Sequence, residues 1–216
     1  MRITAIFLDF GNVCAEFDLS KFFKRFTTLT EVSEHTLRTL LCDSNHHGYS
    51  PLFADLECGR VAPAKFFRLL SSSLELKGKI NYRTFAEIWT DIFFNENTEL
   101  SELLDRLSQE KYLLSNTNKI VYGRHIARTR LVRKHIPLRK KRILSCDVGA
   151  IKPDVRIYRH ALAVAGKKPG ECVFIDDMPV NIAAWQALGG HGIVYHAGTH
   201  AIKDLEQELR KLCVLE

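Results

Sequence analysis

The amino-acid sequence predicts an α/β fold: a doubly wound parallel sheet with helices on both faces and an all-helical domain inserted after its first strand. Three observations support this prediction. Ile3–Phe10 is a short apolar run that ends at turn residues, as buried strands do. A long segment with helical periodicity follows it. From Thr98 onward, strand-like and helix-like segments alternate, which favours parallel strands joined by crossover helices.

The composition fits such a domain and excludes several other classes of protein. The chain has 216 residues, of which 46% are hydrophobic and 26% are charged; these are ordinary values for a globular protein. No apolar stretch approaches the ~18 residues that a membrane span needs. The six cysteines have neither CxxC nor zinc-like spacing, and the first residues do not resemble an export signal. We therefore expect free thiols, no membrane partner and a cytoplasmic location.

The segment after the first strand is predicted to be helical. It groups large apolar residues at helical spacing, and Gly and Pro residues separate the groups. The groups are Phe22, Phe23 and Phe26, then Leu37, Leu40 and Leu41, then Phe66, Phe67, Leu69 and Leu70. Pro63 suits the first turn of a helix. We assign residues 15–95 to an inserted helical domain, and residues 1–14 and 96–216 to the sheet domain.

The remainder of the chain is predicted to alternate between helices and strands. Thr98 is predicted to cap a helix whose apolar residues have the spacing of one helical face, at Leu100, Leu103, Leu104 and Leu107. Strands are predicted at Tyr112–Leu114, near Ile143–Leu144, at Cys172–Ile175 and at Ile193–Tyr195. Helices are predicted at Asp154–Ala165, Pro179–Leu188 and Ala201–Leu212.

Polar side chains follow the carboxyl ends of these strands, where open parallel sheets bind ligands. They are Asp9, Ser115-Asn116-Thr117-Asn118, Lys152 and the pair Asp176-Asp177. Each has a simpler interpretation: a strand-end Asp forms turns, Ser115 can cap the next helix, and Lys152 can be an exposed loop charge. Their joint placement at one edge of the sheet favours a functional site.

The chemistry of this residue set is specific. Three carboxylates packed together repel one another unless a cation joins them, and Mg²⁺ prefers oxygen ligands and keeps water and substrate phosphate in its shell. A carboxylate in line with phosphorus can attack it. A hydroxyl, backbone N–H groups and an ammonium group can hold the phosphoryl oxygens. The set predicts metal-assisted phosphoryl transfer.

The chain resembles the haloacid dehalogenase-like hydrolase superfamily along nearly its whole length. Phe7–Val13 resembles its first motif, Leu114–Asn118 the second, Gly149–Asp154 the third, and Phe174–Asp177 with Asn181 the fourth. The Gly-Asn-Val form of the first motif is most similar to the bacterial branch that contains glucose-1-phosphate phosphatases. The resemblance implies a Rossmann-like core and, as in subfamily IA, a helical cap that closes over the site.

The resemblance also implies a metal site. Asp9 would be the nucleophile and a Mg²⁺ ligand, and Gly11 would offer its backbone carbonyl. Asp177 would bind Mg²⁺ directly, with Asp176 acting through water or a neighbouring hydrogen bond.

A phosphate site is implied beside the metal. Ser115 and the backbone N–H of Asn116 would bind the phosphate of a small phosphorylated metabolite, and Lys152 would pair with the nucleophile and the phosphate. Asn12 and Asn181 would support these groups.

One position departs from the usual phosphatase pattern. That pattern has a second Asp two residues after the nucleophile, as general acid and base, and here the position is Gly11. Water, Glu16 or Asp18 would then protonate the leaving group. Because general acid help is worth about 10²–10⁴-fold, we expect slow turnover on poor leaving groups, with phenyl phosphates less affected.

Two alternatives remain open. The first is a metal-independent dehalogenase-type hydrolase, since such enzymes also lack the second Asp, although the Asp176-Asp177 pair suits a metal. The other is a catalytically weak phosphate- or nucleic-acid-binding regulatory protein. Its motivation is the segment Arg124–Arg142, which has nine Lys/Arg and no acid, within a net charge of +6.

Nucleic acid is not the favoured partner, because this basic segment lacks interleaved aromatic residues. If a helix begins at Arg124, most of the segment points away from the site. The pair His46-His47 is either a substrate contact or part of a surface loop.

Overall fold

A computed structural model describes residues 2–42, 49–76 and 78–215. Its strands are β1 (Ala5–Leu8), β2 (Ala15–Phe17), β3 (Phe93–Glu96), β4 (Glu110–Ser115), β5 (Arg142–Leu144), β6 (Cys172–Asp176) and β7 (His191–Val194). All but β2 and β3 form one parallel sheet in the order β5-β4-β1-β6-β7. The predicted α/β fold with a parallel sheet is confirmed.

Both faces of the sheet are buried, which explains the unbroken apolar run in the first strand. In β1, Phe7 points to one face and stacks on Tyr112 with ring centroids 5.0 Å apart. Ile6 and Leu8 belong to the hydrophobic cluster on the other face, and all three β1 side chains are fully buried. Successive residues of a strand alternate between faces, so each of these positions requires an apolar side chain.

The inserted segment is helical between two short strands. Its helices are α1 (Leu19–Thr30), α2 (Glu34–Leu41), α3 (Pro51–Glu57), α4 (Pro63–Ser73) and α5 (Tyr82–Thr90). Its interior is aromatic: Phe22 lies 4.8 Å from Trp89 and Phe66 lies 5.5 Å from it, between ring centroids. The Phe-rich face at 22–26 therefore packs in the interior of the insertion.

The prediction of an all-helical insertion was wrong at its two ends. Strands β2 and β3 pair antiparallel there, and Phe93 and Phe94, predicted to be helical, lie in β3. The chain leaves the sheet domain through β2 and returns to it through β3. These two strands lie side by side, so their backbone groups satisfy each other's hydrogen bonds.

The sheet domain continues with helices in the predicted alternation. They are α6 (Thr98–Asp105), α7 (Lys119–Arg124), α8 (Arg130–His135), α9 (Ser145–Val148), α10 (Val155–Ala165), α11 (Pro179–Gln186) and α12 (Ile202–Lys211). The cap of α6 is Asn97 rather than Thr98, because its side chain accepts the Leu100 N–H at 2.9 Å. None of the helices among the described residues combines the length and apolarity of a membrane span. All six cysteines are free thiols, as expected.

The condition that a helix begins at Arg124 is not met. Helix α7 ends at that residue, a 3₁₀ turn follows, and α8 begins only at Arg130. The carboxylate of Glu96 accepts the backbone N–H of Arg130 at 2.9 Å and 3.1 Å. An acidic side chain from β3 thus caps α8 and fixes a new helix start inside the basic segment.

Candidate active site

The carboxyl ends of β4, β1 and β6 lie side by side and form the floor of a cavity of about 330 Å³. Parallel pairing explains this, because adjacent strands end at the same edge. Eight of the nine predicted site residues line the cavity: Asp9, Gly11, Asn12, Ser115, Asn116, Lys152, Asp177 and Asn181. The ninth, Asp176, is fully buried beneath them.

Lys152 is the central cation of this floor. Its ammonium Nζ lies 2.6 Å from Asp9 Oδ1 and 2.6 Å from Asp176 Oδ2, and the residue is only 2% exposed. Burial acts to lower the pKa of Lys152, but the two carboxylates outweigh it and raise the pKa, so the side chain stays charged. The alternative of an exposed loop charge is wrong.

Asp176 organises the floor from below. Its Oδ2 accepts from Lys152, and its Oδ1 accepts from Asn181 Nδ2 at 2.9 Å and from the Met178 N–H at 2.9 Å. With these partners, the carboxylate orients both the lysine and the start of α11. A buried carboxylate with several donors stays in place because each donor stabilises its charge.

Asp9, Asp176 and Asp177 form an acidic cluster that could hold a metal ion. One oxygen of each lies within 4.8 Å of the others. Burial raises the pKa of Asp9 to about 7, Lys152 opposes this, and the two neighbouring carboxylates add to it. Burial also raises the pKa of Asp177, although Asn12 Nδ2 donates to its carboxylate at 3.0 Å. A hard divalent cation fits this all-oxygen set and would offset its repulsion.

The side chain of Asn116 has a second role that its predicted phosphate contact did not include. It accepts the Lys152 N–H at 2.7 Å and donates to the Lys152 carbonyl at 3.1 Å. This pair of hydrogen bonds ties the third-motif loop to the end of β4. Asn116 therefore positions the buried lysine as well as facing the cavity.

Eight described residues of the insertion line the cavity and were missed from the sequence, among them Tyr49 and Glu57. Tyr49 lines the cavity beside Asn116. Glu57, at the end of α3, also lines it, is 4% exposed and accepts from Asn118 Nδ2 at 2.6 Å. Burial raises the pKa of Glu57 to about 7. No spacing in the sequence signals these contacts, because they join segments about 60 residues apart.

The acids suggested to replace the second Asp do not lie at the cavity. Asp18 caps α1, accepting the Ser20 N–H at 2.8 Å, and Glu16 accepts from Asn95 at 3.1 Å. Neither lines the cavity, whereas Phe17 between them does. The two suggestions are therefore wrong. The pair His46-His47 lies outside the described residues.

The basic segment is a surface feature away from the floor. Lys134 pairs with Asp105 at 2.6 Å and Lys141 pairs with Glu110 at 2.8 Å, while Arg139 pairs with Asp147. The Lys and Arg side chains of residues 124–142 do not line the described cavity. These ion pairs balance three of the nine positive charges of the segment locally.

The fold and the site define an enzyme with a Rossmann-like parallel sheet, and the edge of that sheet has an acidic cluster that could hold a metal ion. The chain belongs to the haloacid dehalogenase-like hydrolase family, whose model matches residues 3–189.

Relatives that cover the whole chain agree with this assignment. A D-ribitol-5-phosphate phosphatase of Bacteroides thetaiotaomicron is 29% identical over 194 residues, 87% of this chain and 89% of that protein. A predicted HAD-like hydrolase of Porphyromonas gingivalis has 27% identity and a TM-score of 0.79, covering 97% of this chain and 99% of the other.

Other matches have lower sequence identity or cover a shorter part of the chain. A HAD family enzyme of Bacteroides thetaiotaomicron, crystallised with magnesium and inorganic phosphate, shares the fold at 22% identity, with a TM-score of 0.77 over 94% of this chain and 98% of the other. Further curated relatives, 34–38% identical, match over 61–75 residues, which are only 7–25% of their own lengths.

Proposed function

We propose that this hydrolase is a Mg²⁺-dependent phosphatase that hydrolyses a small phosphomonoester through an aspartyl-phosphate intermediate. The observation that carries the proposal is the Asp9 carboxylate, held 2.6 Å from the Lys152 ammonium at the floor of a cavity. Sugar phosphates are the first class to test, because the full-length relative is named as a D-ribitol-5-phosphate phosphatase.

Substrate phosphate would bind between the lysine and the end of β4. Ser115 and the Asn116 N–H would donate to the phosphoryl oxygens, and Lys152 would neutralise their charge. Asp9, the Gly11 carbonyl and Asp177 would hold Mg²⁺. When bound, the ion would supply charge neutralisation for the phosphate and the nucleophile.

Asp9 would be the residue that accepts the phosphoryl group from the substrate. Its carboxylate oxygen forms a bond to phosphorus while the bond from phosphorus to the leaving oxygen breaks. The leaving oxygen takes a proton from water. A second water then attacks the phosphorus of the aspartyl phosphate, which releases inorganic phosphate and restores the carboxylate.

The segment 15–95 would act as the cap over this floor. Its hydrogen bond with the second motif, from Asn118 Nδ2 to Glu57 at 2.6 Å, and the side chains that it contributes to the cavity lining support a closed arrangement around the cavity. Closure would exclude water from the phosphate and select the leaving group. We retain a cytoplasmic location, a small phosphorylated metabolite as partner, and no nucleic-acid partner as predictions.

The test is phosphate release from a panel of metabolite phosphates. We expect release with Mg²⁺, loss of release in EDTA, and recovery when Mg²⁺ is added back. Release that persists in EDTA would contradict the metal-dependent mechanism. Release of halide from 2-haloacids in EDTA would favour the dehalogenase alternative, and an inert protein would favour the regulatory one.

A further inference from the structure

The wall of the cavity, which is the part of its lining that comes from the insertion, is mainly aromatic but includes one acid. Of the eight described residues of the insertion that line the cavity, Glu57 alone has a carboxyl group, and the others include Phe53, Trp89 and Phe93. Glu57 is only 4% exposed. Burying a carboxyl group in such a lining costs free energy, and the proposed phosphoryl transfer makes no use of it. A buried acid of this kind at an active-site cavity points to a function of its own.

Three contacts with the sheet domain hold Glu57 in place. Asn118 Nδ2 donates to its Oε1 at 2.6 Å, and Ser145 Oγ donates to its backbone carbonyl at 2.6 Å. Two residues further along the chain, a Cβ on Gly59 would lie 2.2 Å from the Cys146 carbonyl oxygen, so a glycine is needed for the chain to approach α9 this closely. The sheet domain therefore positions both the side chain and the backbone of Glu57.

The same contacts connect Glu57 to the segment that would bind phosphate. Asn118 ends the second motif, which also contains Ser115. Ser145 Oγ, which donates to the Glu57 carbonyl, accepts the N–H of Thr117 in the same motif at 2.8 Å. The carboxyl group thus has a fixed place relative to the phosphate site. A group that recognises the remainder of the substrate needs such a place, because the phosphate and the leaving group belong to one molecule.

The carboxyl group of Glu57 can form a further hydrogen bond. In the part of the chain that the structure describes, Asn118 is the only residue that donates to it, and this bond uses Oε1. Burial raises the pKa of Glu57 to about 7, and a neutral carboxyl group both donates and accepts hydrogen bonds. A hydroxyl group of a ligand does both as well. An ammonium group would match less well, because its charge would have to leave water for a mainly aromatic lining.

We propose that Glu57 is a specificity-determining residue that hydrogen-bonds to a hydroxyl group of the leaving group, so that the preferred substrates are phosphate monoesters of polyols or sugars. This inference rests on the proposed phosphatase function and adds the residue that selects the leaving group. Glu57 binds the substrate and takes no part in bond breaking at phosphorus. A leaving group without a hydroxyl would leave the buried carboxyl group unpaired, and sites built to hydrogen-bond a substrate reject analogues that lack the matching group.

The first measurement compares four substrates in the wild-type protein with Mg²⁺. D-ribitol 5-phosphate and n-pentyl phosphate have carbon chains of the same length and both release a primary alcohol, but only the first has further hydroxyl groups. 5-Aminopentyl phosphate has an ammonium group instead, and p-nitrophenyl phosphate, with its good leaving group, reports phosphatase activity itself. We expect kcat/KM to be roughly tenfold or more higher for D-ribitol 5-phosphate than for pentyl phosphate or 5-aminopentyl phosphate.

Variants of α3 assign this preference to Glu57. Glu57→Leu removes the carboxyl group, so kcat/KM for D-ribitol 5-phosphate should fall roughly 10- to 100-fold, mainly through KM, while kcat/KM for pentyl phosphate should stay within about threefold. Glu57→Gln keeps a neutral group that donates and accepts, so it should retain most of the preference. The matched control is Asp55→Leu: Asp55 pairs with Arg60 outside the described cavity, and both values should stay within about twofold of wild type.

The outcomes separate this inference from the function beneath it. No phosphate release from any of the four substrates would contradict the phosphatase function, and the inference with it. Release from p-nitrophenyl phosphate, with pentyl or 5-aminopentyl phosphate used as well as D-ribitol 5-phosphate, would leave the phosphatase function standing and overturn hydroxyl recognition. This comparison needs only the wild-type protein, so it decides even where Glu57→Leu does not fold. An equal fall for both chain substrates in a folded Glu57→Leu would show that the residue only supports the phosphate loop, which would also overturn the inference.

Discussion

The floor and the wall of one cavity differ in origin and in chemistry. The floor consists of polar residues at the ends of β4, β1 and β6, fixed by the parallel sheet and by Lys152 between two carboxylates. The wall consists mainly of aromatic residues from the inserted segment and its two strands. We expect the floor to perform one reaction and the wall to restrict which leaving groups reach the floor. Changes to the floor should therefore affect turnover of all substrates, and changes to the wall only some.

The largest expected effect comes from the nucleophile. Asp9→Asn keeps the shape of the side chain but removes the negative oxygen that attacks phosphorus, so phosphate release should fall at least ~10³-fold for every substrate. Phosphate release and circular dichroism measure the two consequences, and the spectrum should not change. A variant that retains more than a tenth of the activity would show that another group attacks phosphorus.

The next effect comes from the buried cation. Lys152→Met fills similar space but leaves Asp9 and Asp176 without their common partner. Losing one member of a buried ion pair costs about 3–5 kcal/mol, and losing the charge that faces the phosphate should lower kcat about 10²–10³-fold. Urea denaturation measures the first loss. Adding Mg²⁺ should recover part of the stability, since a cation can replace some of the missing charge.

The residues of the floor could be predicted from the sequence, but few residues of the wall could. Asp9, Ser115 and Asp177 end strands that are recognisable from short apolar runs, and parallel topology brings such ends together. Tyr49 and Glu57 enter the cavity through the docking of a separate helical segment, which no local spacing encodes. The second role of Asn116 depends equally on the three-dimensional approach of two loops.

A carboxyl group placed where the floor meets the wall should reduce the difference in turnover between good and poor leaving groups. Gly11→Asp supplies the general acid of the usual pattern, so turnover of glucose 1-phosphate should rise roughly 10- to 100-fold relative to p-nitrophenyl phosphate. The ratio of the two kcat/KM values is the measurement. The nearest atoms to the new Cβ are those of the Phe17 side chain at 3.8 Å and 3.9 Å, so there is space for it. An unchanged ratio would contradict the need for an acid at this position.

Ionisation of Glu57, which joins the insertion to the second motif, should have a smaller effect, and this effect is on stability. Glu57 keeps its proton in the folded protein up to about pH 7, whereas in the unfolded chain it ionises near pH 4.3. Its contribution to stability is therefore fully present below about pH 4 and is lost as pH rises to 7. Glu57→Gln keeps an oxygen for Asn118 and cannot ionise. The variant should gain up to about 2–3 kcal/mol over wild type at pH 8 and nothing at pH 4.

Urea titrations of both proteins at the two pH values measure this difference. Using the difference between wild type and variant removes the contributions of other titrating groups, including Asp9. An equal gain at both pH values would mean that Glu57 is not neutral in the folded protein.

The smallest effect is expected for the basic segment, which belongs to neither floor nor wall. Replacing Arg139, Lys140, Lys141 and Arg142 by Gln removes four charges, of which two, Arg139 and Lys141, are paired with surface acids. Such pairs contribute about 0–1 kcal/mol. None of the four lines the described cavity, so kcat/KM at physiological salt should change less than twofold. A steep salt dependence present only in wild type would show that the segment steers anionic substrates toward the floor. Its absence would mean that the local field of Lys152 is sufficient to attract the phosphate.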